Sequence, residues 1–238
     1  MPNSIKILAP AKINLCLDVI KRMPDGYHKI QTILQEIPEI YDEIEIKTTT
    51  KTAQPCNDQN LAYKALQLLK KTYKIKKFAH ITIKKNIPIS SGLGGAASDA
   101  AATLKGLNKL WNLKLSAKQL LKLAAKLGKD VPFFIIGGTA LGTNYGEKIK
   151  QLKPIKNLKF KIFPKSSKIQ NKTAVAYKSL NLSGCNKNAT KTTKLLKAIQ
   201  AANTKNILQN LHNDFEQLYK IKPHHHLCGS GPSTFIAC

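Results

Sequence analysis

The chain has 238 residues, 42% of them hydrophobic, and a formal net charge of +26. Its length and apolar content suit a folded protein of one large or two small domains and exclude a disordered or fibrous chain. The charge raises nucleic acid as a partner, yet every basic residue except Arg22 is lysine and the lysines run through all segments, which fits a solvated surface better than a nucleic-acid stripe, where arginine and clustering are diagnostic.

Residues 4–9 and 12–20 are rich in Ile, Leu and Val, and Ala9-Pro10-Ala11 divides them, so two short strands joined at a proline break are expected. Lys12 and Asn14, two apart, project from one face of the second. Pro24-Asp25-Gly26 is a turn that presents Tyr27 and His28. Strands are expected at 30–37 and 42–48, a helix at 60–73 and a strand at 79–84. The glycine-rich stretch 86–108 opens a small-residue helix, and Ser116 caps another that runs to Leu127. Asp130-Val131-Pro132-Phe133-Phe134 starts a short apolar element, with Asp130 as a candidate N-cap. Residues 137–149 read as a hairpin turning near Asn144-Tyr145-Gly146, and 150–154 as a linker. Beyond it lie a strand (158–163), helices (172–180, 191–201, 205–219) and a last strand (233–238). The domains are therefore placed at 1–150 and 151–238.

Gly92, Gly94 and Gly95 allow left-handed backbone and close ligand approach, and the following helix turns its free amides toward the loop. Such a pairing is an anion site suited to phosphate, or else a turn that caps a tightly packed alanine helix. No G-x-x-x-x-G-K-[ST] occurs, and no acidic residue lies between Asp99 and Asp130, which removes the Walker loop and disfavours a dinucleotide fold. Five cysteines (Cys16, Cys56, Cys185, Cys228, Cys238) without C-x-x-C spacing are expected to be free thiols. His224-His225-His226 is read as a solvated loop, because no second ligand group has metal spacing. The run Val131–Gly142 is too short to span a bilayer, and the N-terminus lacks a signal-peptide layout, so a cytoplasmic protein with no membrane partner is expected.

Four motifs stand in the order of the GHMP small-molecule kinases: Pro10-Ala11-Lys12-Ile13-Asn14-Leu15, Asp25-Gly26-Tyr27-His28, Pro88-x-x-x-Gly92-Leu93-Gly94-Gly95 and Gly128-Lys129-Asp130-Val131-Pro132-Phe133. Asn60-Leu61-x-x-Lys64-Ala65 and Cys228-Gly229-Ser230-Gly231-Pro232-Ser233 also resemble family segments, so the resemblance covers nearly the whole chain. Within the superfamily, the first two motifs resemble the branch acting on cytidine-diphospho-methylerythritol. The resemblance implies an α+β fold of two domains, the first like domain 2 of a small-subunit ribosomal protein and the second ferredoxin-like and shortened, with the active site between them. It implies ATP as phosphoryl donor with Mg2+, and transfer to the substrate's 2-hydroxyl in non-mevalonate isoprenoid biosynthesis. Carried over by residue, Asp130 is the catalytic base and Lys12 its partner, and Asn14, Tyr27 and His28 bind substrate. Tyr27 stacks on cytosine and His28 hydrogen-bonds it, with Tyr177 as the aromatic on the opposite face. Pro88, Ile89, Ser90, Ser91, Gly92, Leu93, Gly94, Gly95, Ala96, Ala97 and Ser98 form the ATP loop; no residue is assigned to metal.

The chemistry needs those residue types. Phosphoryl transfer rests on positioning and charge stabilisation, so it requires amides around the phosphates, a base for the hydroxyl and a nearby cation. Between Asp99 and Asp214 the only carboxylates are Asp130 and Glu147. The chain departs from the family pattern at Ala97, where serine is usual and Ser98 or Ser90 would substitute, and at Lys129, where a small residue is usual. It also stops at Cys238, earlier than the pattern, so a strand at 233–238 is expected to lie at an exposed sheet edge. Two other readings stay open: a different GHMP kinase, such as a homoserine or mevalonate kinase, and a basic RNA-binding module on the ribosomal-type fold. Oligomeric state is not legible in the sequence.

Overall fold

The computed structural model describes residues 3–50 and 60–238, which leaves Cys56 outside. It contains the strands β1 (Ser4–Arg22), β2 (His28–Thr49), β3 (Phe78–Lys84), β4 (Thr139–Asn144), β5 (Lys148–Gln151), β6 (Phe160–Phe163), β7 (His212–Asn213), β8 (His226–Leu227) and β9 (Thr234–Ala237). The helices are α1 (Leu61–Tyr73), α2 (Gly95–Leu110), α3 (Ala117–Leu127), α4 (Val131–Ile136), α5 (Lys172–Ser179), α6 (Ala189–Gln200) and α7 (Thr204–Gln209). One sheet has the order β5-β4-β2-β1-β7, with β3 also on β2, and a second has the order β6-β9-β8.

The proline break expected at Pro10 and the gap expected between strands at 30–37 and 42–48 are both absent, and the pairing explains why. β7 pairs with β1 only at Cys16 and Leu17, so at Pro10 one side of the strand is unpaired and the missing N–H costs no ladder bond. On β2, β4 pairs with Ile30–Gln35 and β3 with Glu43–Thr49. Pro38 falls where the strand passes from one partner to the other.

Two compact units emerge: residues 1–11, 38–87 and 94–136 in one, and 12–37, 88–93 and 137–238 in the other. In the first, α1 buries Ala62, Ala65, Leu66 and Leu69, and α2 buries Ala100, Ala101, Leu104 and Leu107. Gly106 lets α2 lie close to the sheet, since a Cβ there would stand 2.7 Å from the Cδ1 atoms of Ile7 and Ile46. α3 carries the capping box that Ser116 announced, closed by Gln119. In the second unit Leu17, Val19, Ile30, Ala176, Leu180, Phe215 and Leu227 form a core cluster.

Three expectations in the second unit are corrected. The helix at 205–219 ends at Gln209, and β7 and a 3-10 turn (Asp214–Leu218) follow. Side chains draw the backbone out of helix: Asn213 Nδ2 donates to the carbonyls of Leu227 at 3.0 Å and Gly229 at 2.8 Å, while Asp214 Oδ2 accepts from the amides of Val19 at 2.7 Å and Asn186 at 2.9 Å. The terminal strand β9 is not an edge, because β6 and β8 flank it. The histidine run is not wholly solvated: His226 lies in β8 and His225 Nδ1 pairs with Thr234 Oγ1 at 3.0 Å. Cys16, Cys185 and Cys228 are buried free thiols and Cys238 is an exposed one.

In the first unit an ionic clamp of two buried carboxylates on Lys85 holds the entry to the glycine loop. Asp42, fully buried, accepts the amides of Asn86 at 2.6 Å and Ile87 at 2.8 Å on Oδ1, and its Oδ2 pairs with Lys85 Nζ. The same ammonium reaches Asp99 Oδ2 at 2.7 Å, five residues into α2. Burial, opposed by Lys85, pushes the Asp99 carboxyl up to about 7. Asp42→Ala removes the acceptor of two amides and one of the two carboxylates on Lys85, and is expected to cost about 1–3 kcal/mol. Urea unfolding reads this as a lower midpoint at constant slope; an unchanged midpoint would show that the clamp does not hold the loop.

Candidate active site

β1 directs Lys12 and Asn14 to one face, as their spacing requires, and both are buried. Lys12 Nζ donates to Asn14 Oδ1 at 2.8 Å, Asn14 Nδ2 donates to Thr32 Oγ1 at 2.8 Å, and the Thr32 hydroxyl donates to the Cys16 carbonyl at 2.6 Å. The chain of donors fixes the amide: its oxygen must face the ammonium, because Thr32 has already spent its only proton. The Lys12 amide donates to the Leu93 carbonyl at 2.9 Å, which ties the strand to the glycine loop.

That loop meets a second one backbone to backbone. At Gly92, with φ +87°, a Cβ would stand 2.0 Å from the Cys228 carbonyl oxygen and 2.9 Å from that of Gly231. No side chain fits there, and few residues other than glycine adopt that φ. The Ser233 amide donates to the Ser91 carbonyl at 3.1 Å. At Gly229 a Cβ would be 3.0 Å from Lys12 Nζ and 3.0 Å from the Gly92 carbonyl oxygen. The Ser230 carbonyl takes the Lys172 ammonium at 2.8 Å and the Tyr219 hydroxyl at 2.9 Å. Pro88 lies in the same loop segment, with Ile89 and Ser90 exposed and Ser91 and Leu93 buried; Ser90 adopts φ 54°.

The remainder of the loop belongs to the other compact unit. Gly94, at φ 78°, caps α2 without a side-chain hydrogen bond, and the helix starts at Gly95. The first turn therefore carries no side-chain cap on its amides. Ala96 and Ala97 continue the turn. Ser98 is buried with its Oγ unpartnered, and Asp99 Oδ1 is a second buried oxygen without a hydrogen bond among the described residues. Asp130 is exposed and directly precedes α4, whose Val131, Pro132, Phe133 and Phe134 are buried and anchor it.

The aromatic residues of the DGYH turn sit differently from one another. Tyr27 is 58% exposed, its amide donates to Asp25 Oδ1 at 3.0 Å, and its ring lies 5.7 Å from that of Tyr145, whose hydroxyl donates to Asp25 Oδ2 at 2.7 Å. His28 stacks on Tyr177 at 4.8 Å with 20° between planes, and Tyr177 packs edge-on against Phe215 at 4.8 Å. Burial, and then the charge of Arg22, lower the His28 pKa, so the ring is neutral at pH 7.

Contacts within one unit thus join Lys12, Asn14, Ser91, Gly92 and Leu93, and pair His28 with Tyr177; Gly94–Ser98 and Asp130 fall in the other unit. The sequence reading missed Lys172, one lysine among many, and Tyr145, which it noted only as part of a turn.

Residues 60–138 match the family described as the GHMP kinases N terminal domain. A protein of Caldicellulosiruptor bescii named 4-diphosphocytidyl-2-C-methyl-D-erythritol kinase is 40% identical over 89% of this chain and 76% of its own length. One of the same name from Clostridium botulinum is 38% identical over 96% of this chain and 89% of its own. A crystal structure of 4-(cytidine 5'-diphospho)-2C-methyl-D-erythritol kinase superposes with a TM-score of 0.76 at 26% identity, covering 97% of this chain and 89% of that one. A homoserine kinase from Cytophaga hutchinsonii, at 20% identity and TM-score 0.78, shares the fold. Site motifs, family match and relatives agree, and the chain belongs to the 4-diphosphocytidyl-2-C-methyl-D-erythritol kinase family of the GHMP kinases.

Proposed function

We infer that the protein transfers the γ-phosphoryl group of ATP to the 2-hydroxyl of 4-diphosphocytidyl-2-C-methyl-D-erythritol, a cytoplasmic step of non-mevalonate isoprenoid precursor biosynthesis. The observation that carries this reading is 40% identity to a kinase of that name across 89% of the chain. No helix among the described residues is long and apolar enough to cross a membrane.

In this reading Asp130 takes the proton of the substrate hydroxyl while its oxygen bonds to the γ-phosphorus. The bond from that phosphorus to the bridging oxygen breaks, and ADP leaves with the electron pair. Lys12, held by Asn14, supplies positive charge to the developing negative charge, where it contributes most in a water-poor setting. The free amides at the start of α2 take phosphate oxygens. Magnesium supplies charge neutralisation on the phosphates when bound. The residues fit it: Ser98 Oγ is a buried hydroxyl without a partner among the described residues and would hold it beside Ala97, which has no hydroxyl to offer.

Tyr27, with its exposed ring beside the turn, stacks on cytosine, and the neutral His28 ring both donates and accepts toward the base edge. Tyr177 contributes from the other side of the base while it braces His28 from behind. Tyr27→Ala is expected to weaken the cytidine substrate by about 1–3 kcal/mol, the worth of a base–aromatic stack, with ATP binding unchanged. Equal weakening of both ligands in calorimetry would make the ring structural.

The base is tested separately. Asp130→Asn keeps shape and is expected to lower kcat by roughly 10²–10⁴-fold, the range of general acid–base catalysis, with KM for ATP little changed. Because Lys12 acts with it, Asp130→Asn combined with Lys12→Met should lose less than the product of the single losses. Wild-type turnover of folded Asp130→Asn in an ADP-release assay with the cytidine substrate would sink this mechanism.

A further inference from the structure

Lys172 opens α5 and is only 6% exposed. Among the described residues its ammonium makes one hydrogen bond, to the Ser230 carbonyl at 2.8 Å, which leaves two of its three donors unspent there. The preceding loop residue, Gly229, faces Lys12, whose Nζ lies 3.0 Å from where a Cβ would stand. Two buried ammonium groups therefore converge on successive residues of one glycine loop. Burial first, and then repulsion from Lys12, bring the Lys172 pKa down to about 8. The Cys228 thiol in the same loop is no counter-ion, because burial holds its pKa up at about 12. Keeping the desolvated Lys172 ammonium charged is costly unless an anion joins it. Within the kinase reading, on which this step rests, every ligand arrives carrying phosphate.

We propose that Lys172 is a phosphate-binding residue of the active site, which with Lys12 takes an oxyanion of a phosphate or diphosphate group at the Gly229–Ser230 loop. The chemistry is the same whether the group is the diphosphate of the cytidine substrate or the phosphates of ATP. Asn14 and the Ser230 carbonyl hold the two ammonium groups in place, and Gly229, without a Cβ, lets Lys12 Nζ approach the loop. A guanidinium at position 172 would keep the charge, whereas a methionine would keep only the length.

Calorimetric titration of inorganic pyrophosphate into wild type, Lys172→Met and Lys172→Arg tests this directly. Lys172→Met is expected to lose about 10- to 100-fold in affinity, the scale of a charge-assisted hydrogen bond, and Lys172→Arg only a few-fold. Wild-type affinity should fall, relative to Lys172→Arg, as pH rises through about 8, because the lysine loses its charge there and the arginine does not. Titrations of CDP against cytidine, and of a non-hydrolysable ATP analogue against adenosine, identify the source: a loss confined to the phosphorylated member of one pair names it. The proposal is overturned if folded Lys172→Met binds pyrophosphate, CDP and the analogue like wild type, or if cytidine and adenosine weaken equally with them. Should Lys172→Met fail to fold, identical pH profiles for wild type and Lys172→Arg overturn it. If instead wild type shows no turnover of the cytidine substrate while pyrophosphate binding still depends on Lys172, the kinase reading fails and the anion site stands.

Discussion

Everything about the candidate site depends on the approach of Gly92 to the Cys228 carbonyl, where a Cβ would have only 2.0 Å. Two glycine loops far apart in sequence meet there as bare backbone. The contact is supported on both sides: the Ser233 amide bonds to the Ser91 carbonyl, and the Lys12 amide bonds to the Leu93 carbonyl. These are main-chain bonds, so the arrangement tolerates change in the side chains around it but none at the glycines. Glycine loses more conformational freedom on folding than any other residue. A loop so rich in it is worth ordering only where the backbone itself must be exposed to a ligand.

The two ends of the first loop are fastened by different physics. Its Ser91–Leu93 part is held by those backbone bonds, while the stretch before Pro88 and the start of α2 are held by charge, through Asp42, Lys85 and Asp99. A buried carboxylate that accepts two amides and an ammonium is strongly directional, because each unmade bond would cost its full desolvation. Asp99 meets this requirement only in part: one of its oxygens is bonded and the other is not. Burial therefore raises its pKa despite Lys85.

Much of this was legible in the sequence where local chemistry decides the outcome. The Asn60 and Ser116 caps, the turn at Asp25-Gly26 and the helix start beside Gly94-Gly95 follow from residue type. The strand break at Pro10 was misread because whether a proline interrupts a strand depends on which neighbour is present at that residue, which only the tertiary pairing settles, and the strands expected at 30–37 and 42–48 run on as one for the same reason. The helix expected across 205–219 failed for a related reason. Asn213 and Asp214 look like ordinary polar residues of an amphipathic pattern, yet their partners lie on Val19, Asn186, Leu227 and Gly229. Of the motif residues, Lys12, Asn14, Ser91, Gly92 and Leu93 fall together in one unit; Lys172 and Tyr145, which no motif marks, were not singled out.

The lysine-rich composition illustrates why a count of charges says little about a site. Of the lysines in the described residues, only Lys12 and Lys172 are buried, and both serve the same loop. The others are wholly or partly in water, where at physiological ionic strength their fields decay over about 8 Å. Their sum attracts anions without distinguishing among them. A desolvated ammonium is different, since its field is little screened and its own burial is unfavourable until a counter-charge arrives. The net charge of +26 thus governs how anions approach the molecule, whereas in the proposed site two buried side chains would decide where one is held.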